Sequence, residues 1–96
     1  HQAWNNRGLI LSEWKQFAEA LTCFDKAIEF NPGDYKAWYN RGVTLGHLGR
    51  EEEELASLDT ALSIQPDYYL AWYNRGRSLE NLGRLEEALA SYDKAI

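Results

Sequence analysis

A period of 34 residues runs through the chain and constrains its fold more than any other feature. The hexapeptide AWYNRG occupies residues 37–42 and again 71–76, and a near copy, AWNNRG, occupies residues 3–8. A fixed period of this size indicates an array of similar supersecondary units. The positions that repeat most clearly are Trp4, Trp38, Trp72, Gly8, Gly42, Gly76, Pro32 and Pro66.

The period divides the chain into units 1–34, 35–68 and 69–96, which we interpret as one domain over residues 1–96. The third unit ends before its proline turn, so we expect the sequence to be a fragment of a longer array. Apolar residues recur at steps of three and four in each half-unit, which is typical of helices. The predicted all-α fold has helices at 2–14, 17–30, 35–48, 51–64, 69–82 and 85–96.

Glycine and proline mark the predicted helix ends. Gly49 and Gly83 follow the last apolar turn of a first helix, the usual place for a left-handed C-terminal residue. Lys15 stands at the corresponding place in unit one, so that turn is expected to be less standard. Asp34 and Asp67 follow the proline turns and are candidate N-caps of the next helix.

Composition and charge exclude several classes of protein. The net charge of −5 argues against a nucleic-acid partner, since phosphate binding depends on a basic surface. No apolar run approaches the roughly 20 residues of a membrane span, so no membrane partner is expected. The single cysteine, Cys23, rules out an internal disulfide framework and favours a cytoplasmic location.

Catalytic and cofactor motifs are missing from the sequence. His1 and His47 have no neighbouring ligands at metal spacing, and Cys23 has no nearby histidine to activate it. There is no glycine-rich phosphate loop. The sequence therefore predicts a non-enzymatic protein with no metal and no cofactor.

The repeated residues resemble the tetratricopeptide repeat over the whole chain. In units one and three the matching residues are Trp4, Gly8, Leu11, Ala20, Phe24, Ala27 and Pro32, and Trp72, Gly76, Leu79, Ala88, Tyr92 and Ala95. The resemblance implies an α-solenoid of three antiparallel helix pairs, stacked into a right-handed superhelical arc. It also implies that the first helices line the concave face.

Small residues are expected where the two helices of a unit approach most closely. Gly8, Gly42 and Gly76 remove the side chain there, and Ala20 and Ala88 are small for the same reason. The tryptophans and the residues Phe24, Leu58 and Tyr92 are expected to fill the wider space beside that contact. Stability should come mostly from the stacking of neighbouring units.

Unit two departs from its neighbours at two positions. Glu51 replaces Phe17 and Leu85, and Glu54 replaces Ala20 and Ala88. The helical register points both carboxylates towards the interior, where an unpaired charge is costly. Each is expected to extend out to solvent, to find a cation, or to open the helix pair locally. Glu52 and Glu53 are expected to be solvated.

Three arginines flank the core stripe, namely Arg7, Arg41 and Arg75. We interpret each as a brace whose stem packs between helices while the guanidinium reaches a carboxylate or carbonyl group. Glu54 is a candidate partner of Arg41. Direct contact with a ligand is the alternative role.

An asparagine lies almost opposite the core stripe in each first helix, at Asn6, Asn40 and Asn74. Asparagine is a mediocre helix former, and its amide offers both a donor and an acceptor, which suits a peptide backbone. Peptide-binding members of the resembled family use a similar ladder. The alternative is that duplication copied a merely polar residue.

Residues around this ladder vary between units and are candidate ligand contacts. The candidate concave-face residues beyond the asparagines are Lys36, Tyr39, Val43, His47, Tyr73 and Arg77, and their neighbours are Gln2, Asn5, Leu9, Glu13, Leu70 and Glu80. First helices about 10 Å apart would accommodate a segment of roughly six to nine extended residues. Some relatives clamp a terminal carboxylate with Lys, Asn and Arg, but this chain has Asn5, Leu9, Asn40, Leu70 and Asn74 there, and only Asn40 matches.

The sequence thus favours a protein-interaction module that binds an extended peptide segment of another protein in its concave groove. The alternative is an architectural spacer or self-associating scaffold with no groove ligand. Leu89, Tyr92 and Ile96 would expose part of an apolar stripe, so a homo-oligomer through the uncapped terminal repeat is also expected under that alternative.

Overall fold

The computed structural model describes residues 2–96, and that range folds into six helices without a strand. Each predicted helix boundary lies within one residue of the observed one, and the predicted all-α helical-repeat fold is confirmed. The helices are α1 (Gln2–Glu13), α2 (Phe17–Phe30), α3 (Tyr35–His47), α4 (Glu51–Ile64), α5 (Tyr69–Asn81) and α6 (Leu85–Ala95).

Helix contacts follow the repeat. Each first helix (α1, α3, α5) packs on the second helix of its own unit, and α2 and α4 also pack on the first helix of the next unit. The first helices contact one another, α1 with α3 and α3 with α5, whereas the second helices share no contact within residues 2–96. The first helices therefore lie on the inner side of the curve. We call the surface formed by α1, α3 and α5 the inner face.

Glycine determines how closely the helices of a unit approach. A Cβ atom added at Gly8 would lie 2.6 Å from the ring of Phe24, and one at Gly76 would lie 2.7 Å from the ring of Tyr92. At Gly42 the nearest atom belongs to Leu58, at 3.1 Å. Phe24 and Leu58 are buried, so the side chains that face Gly8 and Gly42 are held in place, whereas Tyr92 is only partly buried.

The turns inside the three units share one geometry. Gly49 and Gly83 have φ angles of 76° and 78°, and Lys15 has a φ of 60°. The amides of Gln16, Arg50 and Arg84 each bind the carbonyl five residues earlier. The expectation of a less standard first turn is therefore wrong. Lys15 instead adopts the left-handed conformation at a cost of about 1 kcal/mol.

Capping differs between the second and third units. Asp34 is the N-cap of α3, and its carboxylate accepts hydrogen bonds from the amides of Lys36 and Ala37. The prediction for Asp67 is wrong, because the N-cap of α5 is Tyr68, which forms no side-chain cap. Tyr68 is the residue one period after Asp34, and its ring instead packs edge-on against the rings of Tyr35 and Tyr39 of α3.

The repeated tryptophans and prolines are joined by hydrogen bonds. The indole Nε1 of Trp38 donates to the carbonyl oxygen of Pro32 at 2.8 Å, and that of Trp72 donates to Pro66 at 2.7 Å. Both rings are only partly buried. Each tryptophan thus fixes the start of a first helix to the turn that precedes it.

Two of the three arginines brace neighbouring units. Arg41 donates to Asp25 at 2.7 Å and to the hydroxyl of Ser57 at 2.6 Å, so it joins α2, α3 and α4. Arg75 repeats this arrangement one period later. The suggested pair of Arg41 with Glu54 is wrong. Arg7 is exposed, with its guanidinium carbon 5.8 Å from the ring centroid of Trp4.

Candidate functional site

Asparagine side chains on the inner face join successive first helices. The Nδ2 of Asn40 donates to the Oδ1 of Asn5 at 3.0 Å, from α3 to α1. The Nδ2 of Asn74 donates to the hydroxyl oxygen of Tyr39 at 3.0 Å, from α5 to α3. Asn40 and Asn74 are half-buried at equivalent places, whereas Asn6 is exposed.

These bonds decide which half of the amide faces outwards. The Nδ2 of Asn74 also donates to the carbonyl oxygen of Leu70 at 2.9 Å. A backbone carbonyl can only accept, so this bond fixes the orientation of the amide. The donor half of Asn74 is therefore used inside the protein, and its Oδ1 is left to accept a hydrogen bond from elsewhere.

A largely apolar cavity of about 250 Å³ lies between α1, α2 and α3. Leu9, Phe17 and Val43 contribute apolar walls, and Asn40 and His47 lie at its border with the inner face. The ring of His47 stacks on that of Phe17 with centroids 4.5 Å apart. We call this space the apolar cavity. It is suited to an apolar side chain.

A smaller, polar cavity of about 100 Å³ lies between α3, α4 and α5, and we call it the acidic cavity. Its two carboxylates come from Glu51 and Glu54. The other lining residues are Val43, Gly46, His47, Asn74, Arg77, Ser78 and Asn81. Val43 and His47 border both cavities, so the two spaces are neighbours on the inner face.

Glu54 lies deep in the acidic cavity, with only 8% of its surface exposed. Burial, reinforced by the charge of Glu51, raises its pKa to about 7, against smaller opposing effects of the Ser78 hydroxyl and Arg77. One oxygen of Glu51, Oε2, is buried without a hydrogen-bond partner. The Glu54 carboxyl is thus close to equal populations of its two protonation states near neutral pH.

Gly46 makes room for Glu54. A Cβ atom at Gly46 would lie 2.7 Å from both carboxylate oxygens of Glu54. The three expected outcomes, namely extension to solvent, pairing with a cation and opening of the helix pair, are therefore wrong for Glu54. The residues that correspond to Gly46 in units one and three are Ser12 and Glu80. Glycine therefore occurs at this position only in unit two, the unit that has Glu54 where the other two have alanine.

The remaining candidate residues differ in how far they are exposed to solvent. Lys36 and Arg77 are exposed, and Arg77 lies at the edge of the acidic cavity. Tyr73 is 49% exposed, with its ring 5.7 Å from that of Tyr92. Tyr39 packs edge-on against Tyr68 at 5.2 Å, and burial raises the pKa of its hydroxyl. Tyr39 therefore holds the Asn74 amide in place by accepting its hydrogen bond from a partly buried position.

Sequence reasoning placed Asn5 beside the ladder but missed its hydrogen bond to Asn40, and it missed the space provided by Gly46 and the contacts of the Tyr68 ring. Across residues 2–96, no three His, Cys, Asp or Glu side chains are grouped so that they could hold a metal ion. None of the helices in this part of the chain has the length and apolar character that a membrane crossing requires.

Two known structures match this fold over nearly the whole chain. A structure of the first TPR of Spaghetti (RPAP3) bound to the HSP90 peptide SRMEEVD has a TM-score of 0.96 and 21% identity, over 98% of this chain and 75% of that one. The Sgt2 TPR domain from Aspergillus fumigatus has a TM-score of 0.94 and 19% identity, over 98% and 62%. At these identities the likeness shows the fold.

A crystal structure of MamA has a TM-score of 0.94 and 22% identity over 98% of this chain. The chain spans about half of that protein, 55% of its length. No curated protein matches the sequence.

Family models match most of the chain. Two models described as tetratricopeptide repeat match residues 1–34 and 69–96, and residues 23–56. A further model, the protein prenyltransferase alpha subunit repeat, matches residues 51–82, which cover α4 and α5. The tetratricopeptide matches and the repeated helix pairs agree, and the chain belongs to the tetratricopeptide repeat family.

Proposed function

We propose that this chain is a non-enzymatic interaction module that binds an extended segment of another protein along its inner face. The observation that carries the proposal is the pair of neighbouring cavities between successive first helices, each bordered by an asparagine. Clefts of mixed apolar and polar character are the usual form of a binding site. Asn6, Asn40 and Asn74 are the proposed hydrogen-bonding ladder.

The proposed contacts follow from the free groups on this face. The Oδ1 of Asn74, and the amide of Asn40 at the equivalent place, would bind backbone N–H groups of the segment. An apolar side chain would enter the apolar cavity beside Leu9 and Val43. A segment of about seven residues would cover three first helices that are roughly 10 Å apart.

The peptide in the Spaghetti structure, SRMEEVD, gives one example of a segment bound to this fold. That peptide carries three acidic residues, whereas this chain has a net charge of −5. This chain also has Asn5, Leu9 and Leu70 at positions where relatives that clamp a terminal carboxylate have Lys, Asn or Arg. We therefore propose a segment that is neutral or basic.

Replacing Asn40 with alanine is expected to weaken a bound peptide by about 1 kcal/mol or more, the scale of one hydrogen bond. The peptide would be selected on the wild-type protein from random peptides of about seven residues, and affinities would be measured by calorimetric titration. Asn31→Ala is the control, because Asn31 is an exposed asparagine in the turn between α2 and α3. Equal affinities for the two variants would remove the ladder from the mechanism.

Self-association through α6 is a second candidate function. Leu85 and Leu89 of this helix are 60% and 64% exposed. Asp93 is exposed on α6 as well, one period after Asp59, which pairs with Arg75, and Arg7 is exposed on α1. A second copy stacked end to end would pair Asp93 with Arg7 and cover the leucines.

This candidate predicts that the molar mass from light scattering rises with protein concentration. Leu89→Glu should abolish the rise, because it would bury a carboxylate among the leucines of the contact. Leu9→Glu, which changes an exposed leucine of the inner face in the same way, should leave the rise intact. A constant monomer mass for the wild type would contradict self-association.

A further inference from the structure

We infer that the acidic cavity receives a positively charged side chain, lysine or arginine, of the bound segment. The inference rests on the proposed function and adds to it the chemistry of one ligand position. It concerns the space of about 100 Å³ in which Glu51 and Glu54 face α5.

The first observation is an unmet hydrogen-bonding capacity in the wall of this cavity. The Oε2 of Glu51 is buried and has no hydrogen-bond partner, and Glu54 is only 8% exposed. The Ser78 hydroxyl has a single proton, which it donates to the backbone carbonyl oxygen of Glu51 at 3.4 Å, so the two carboxylates keep lone pairs that can accept from a ligand. Buried polar groups without partners are rare and costly. A ligand that donates a hydrogen bond here would remove that cost, and its binding would be stronger by the same amount.

The second observation is the balance of charge around the cavity. The charged and titratable groups that face Glu54 are His47 and Tyr39 from α3, Glu51 from α4 and Arg77 from α5. None of the ion pairs formed by residues 2–96 joins Arg77 to either carboxylate within 4.0 Å. Arg77 is exposed and lowers the Glu54 pKa only weakly. When both carboxylates are ionised, this leaves a net negative charge without a contacting cation.

The third observation is the position of the cavity. Val43 and His47 separate it from the apolar cavity, and Asn74 borders it on the inner face. A segment held by the asparagines would therefore pass over both spaces. Since first helices are about 10 Å apart and an extended chain advances about 3.3 Å per residue, the basic residue would lie two or three residues from an apolar one.

The test uses random peptides of about seven residues, displayed on phage and selected at about pH 8, where Glu54 is largely ionised. Selection on the wild-type protein should enrich lysine or arginine at one position. The best peptide should bind Glu54→Gln and Glu51→Gln about tenfold more weakly than the wild type, as expected for a charge-assisted hydrogen bond. Glu52→Gln is the matched control, because it removes the same charge from the same turn of α4 at an exposed position.

Two changes in the peptide distinguish the side chains. Norleucine in place of lysine, or citrulline in place of arginine, should reduce the affinity for the wild type strongly and that for Glu54→Gln by a smaller factor, because Glu51 remains in the variant. Peptides that depend on Asn40 but show no basic preference, or that bind Glu54→Gln and Glu52→Gln alike, would overturn this inference and leave the proposed function standing. If no peptide prefers the wild type over an Asn40→Ala, Asn74→Ala variant, both fail.

Discussion

Replacing Phe24 with alanine is expected to lower the free energy of unfolding by about 3–5 kcal/mol, the usual loss for a buried phenylalanine. Only 1% of the Phe24 surface is exposed, and its ring fills the space that Gly8 leaves between α1 and α2. The glycine on the facing helix cannot fill the resulting void, so the structure has little means of relaxing. Urea unfolding followed by circular dichroism would measure the change.

Gly8 provides the control, since its effect should change sign with the residue that faces it. In the wild type, Gly8→Ala places a Cβ atom 2.6 Å from the ring, and the cost of overpacking, about 1–3 kcal/mol, exceeds the gain of about 1 kcal/mol in helix propensity. In the Phe24→Ala background the ring is gone, so Gly8→Ala should be stabilising. Equal effects in the two backgrounds would show that the glycine is not there to make room for the ring.

The sequence predicted the helices well because each boundary carries a local signal. Gly49 and Gly83 have the left-handed φ angles that end a first helix, and Asp34 caps α3. The prediction that Asp67 caps α5 was wrong because the N-cap is Tyr68, one residue later. The Tyr68 side chain forms no capping hydrogen bond and packs against the rings of Tyr35 and Tyr39. A helix that is well packed by its neighbours can form without a capping side chain.

The candidate site was predicted less completely because its contacts join different helices. A helical wheel placed Asn40 and Asn74 on the inner face, but the direction of each amide depends on Asn5 and Tyr39 of the preceding unit. The burial of the Glu54 carboxyl likewise depends on the space left by Gly46, which lies on the facing helix α3. Periodicity defines the face of one helix, whereas the register between two helices follows from their packing.

Glu54 is expected to make the protein less stable as the pH rises through the range of about 4.5 to 7. Its pKa is 4.5 as an unperturbed carboxyl group and about 7 in the folded protein. Between these values the folded state binds more protons than the unfolded state, so the free energy of unfolding falls with increasing pH. At 1.36 kcal/mol per pKa unit, the loss attributable to Glu54 is about 3 kcal/mol by pH 8.

The measurement compares Glu54→Gln with the wild type in urea titrations at several pH values. Glutamine has nearly the same shape and does not ionise, so the stability advantage of the variant should be small near pH 4.5, grow through neutral pH and level off above it. Groups far from Glu54 are the same in both proteins and cancel in the difference. Glu52→Gln, which removes an exposed charge from the same helical turn, should show no such growth. A difference between Glu54→Gln and the wild type that stays constant from pH 4.5 to 8 would mean that Glu54 ionises in the folded protein as easily as in the unfolded chain. The acidic cavity would then be open to water.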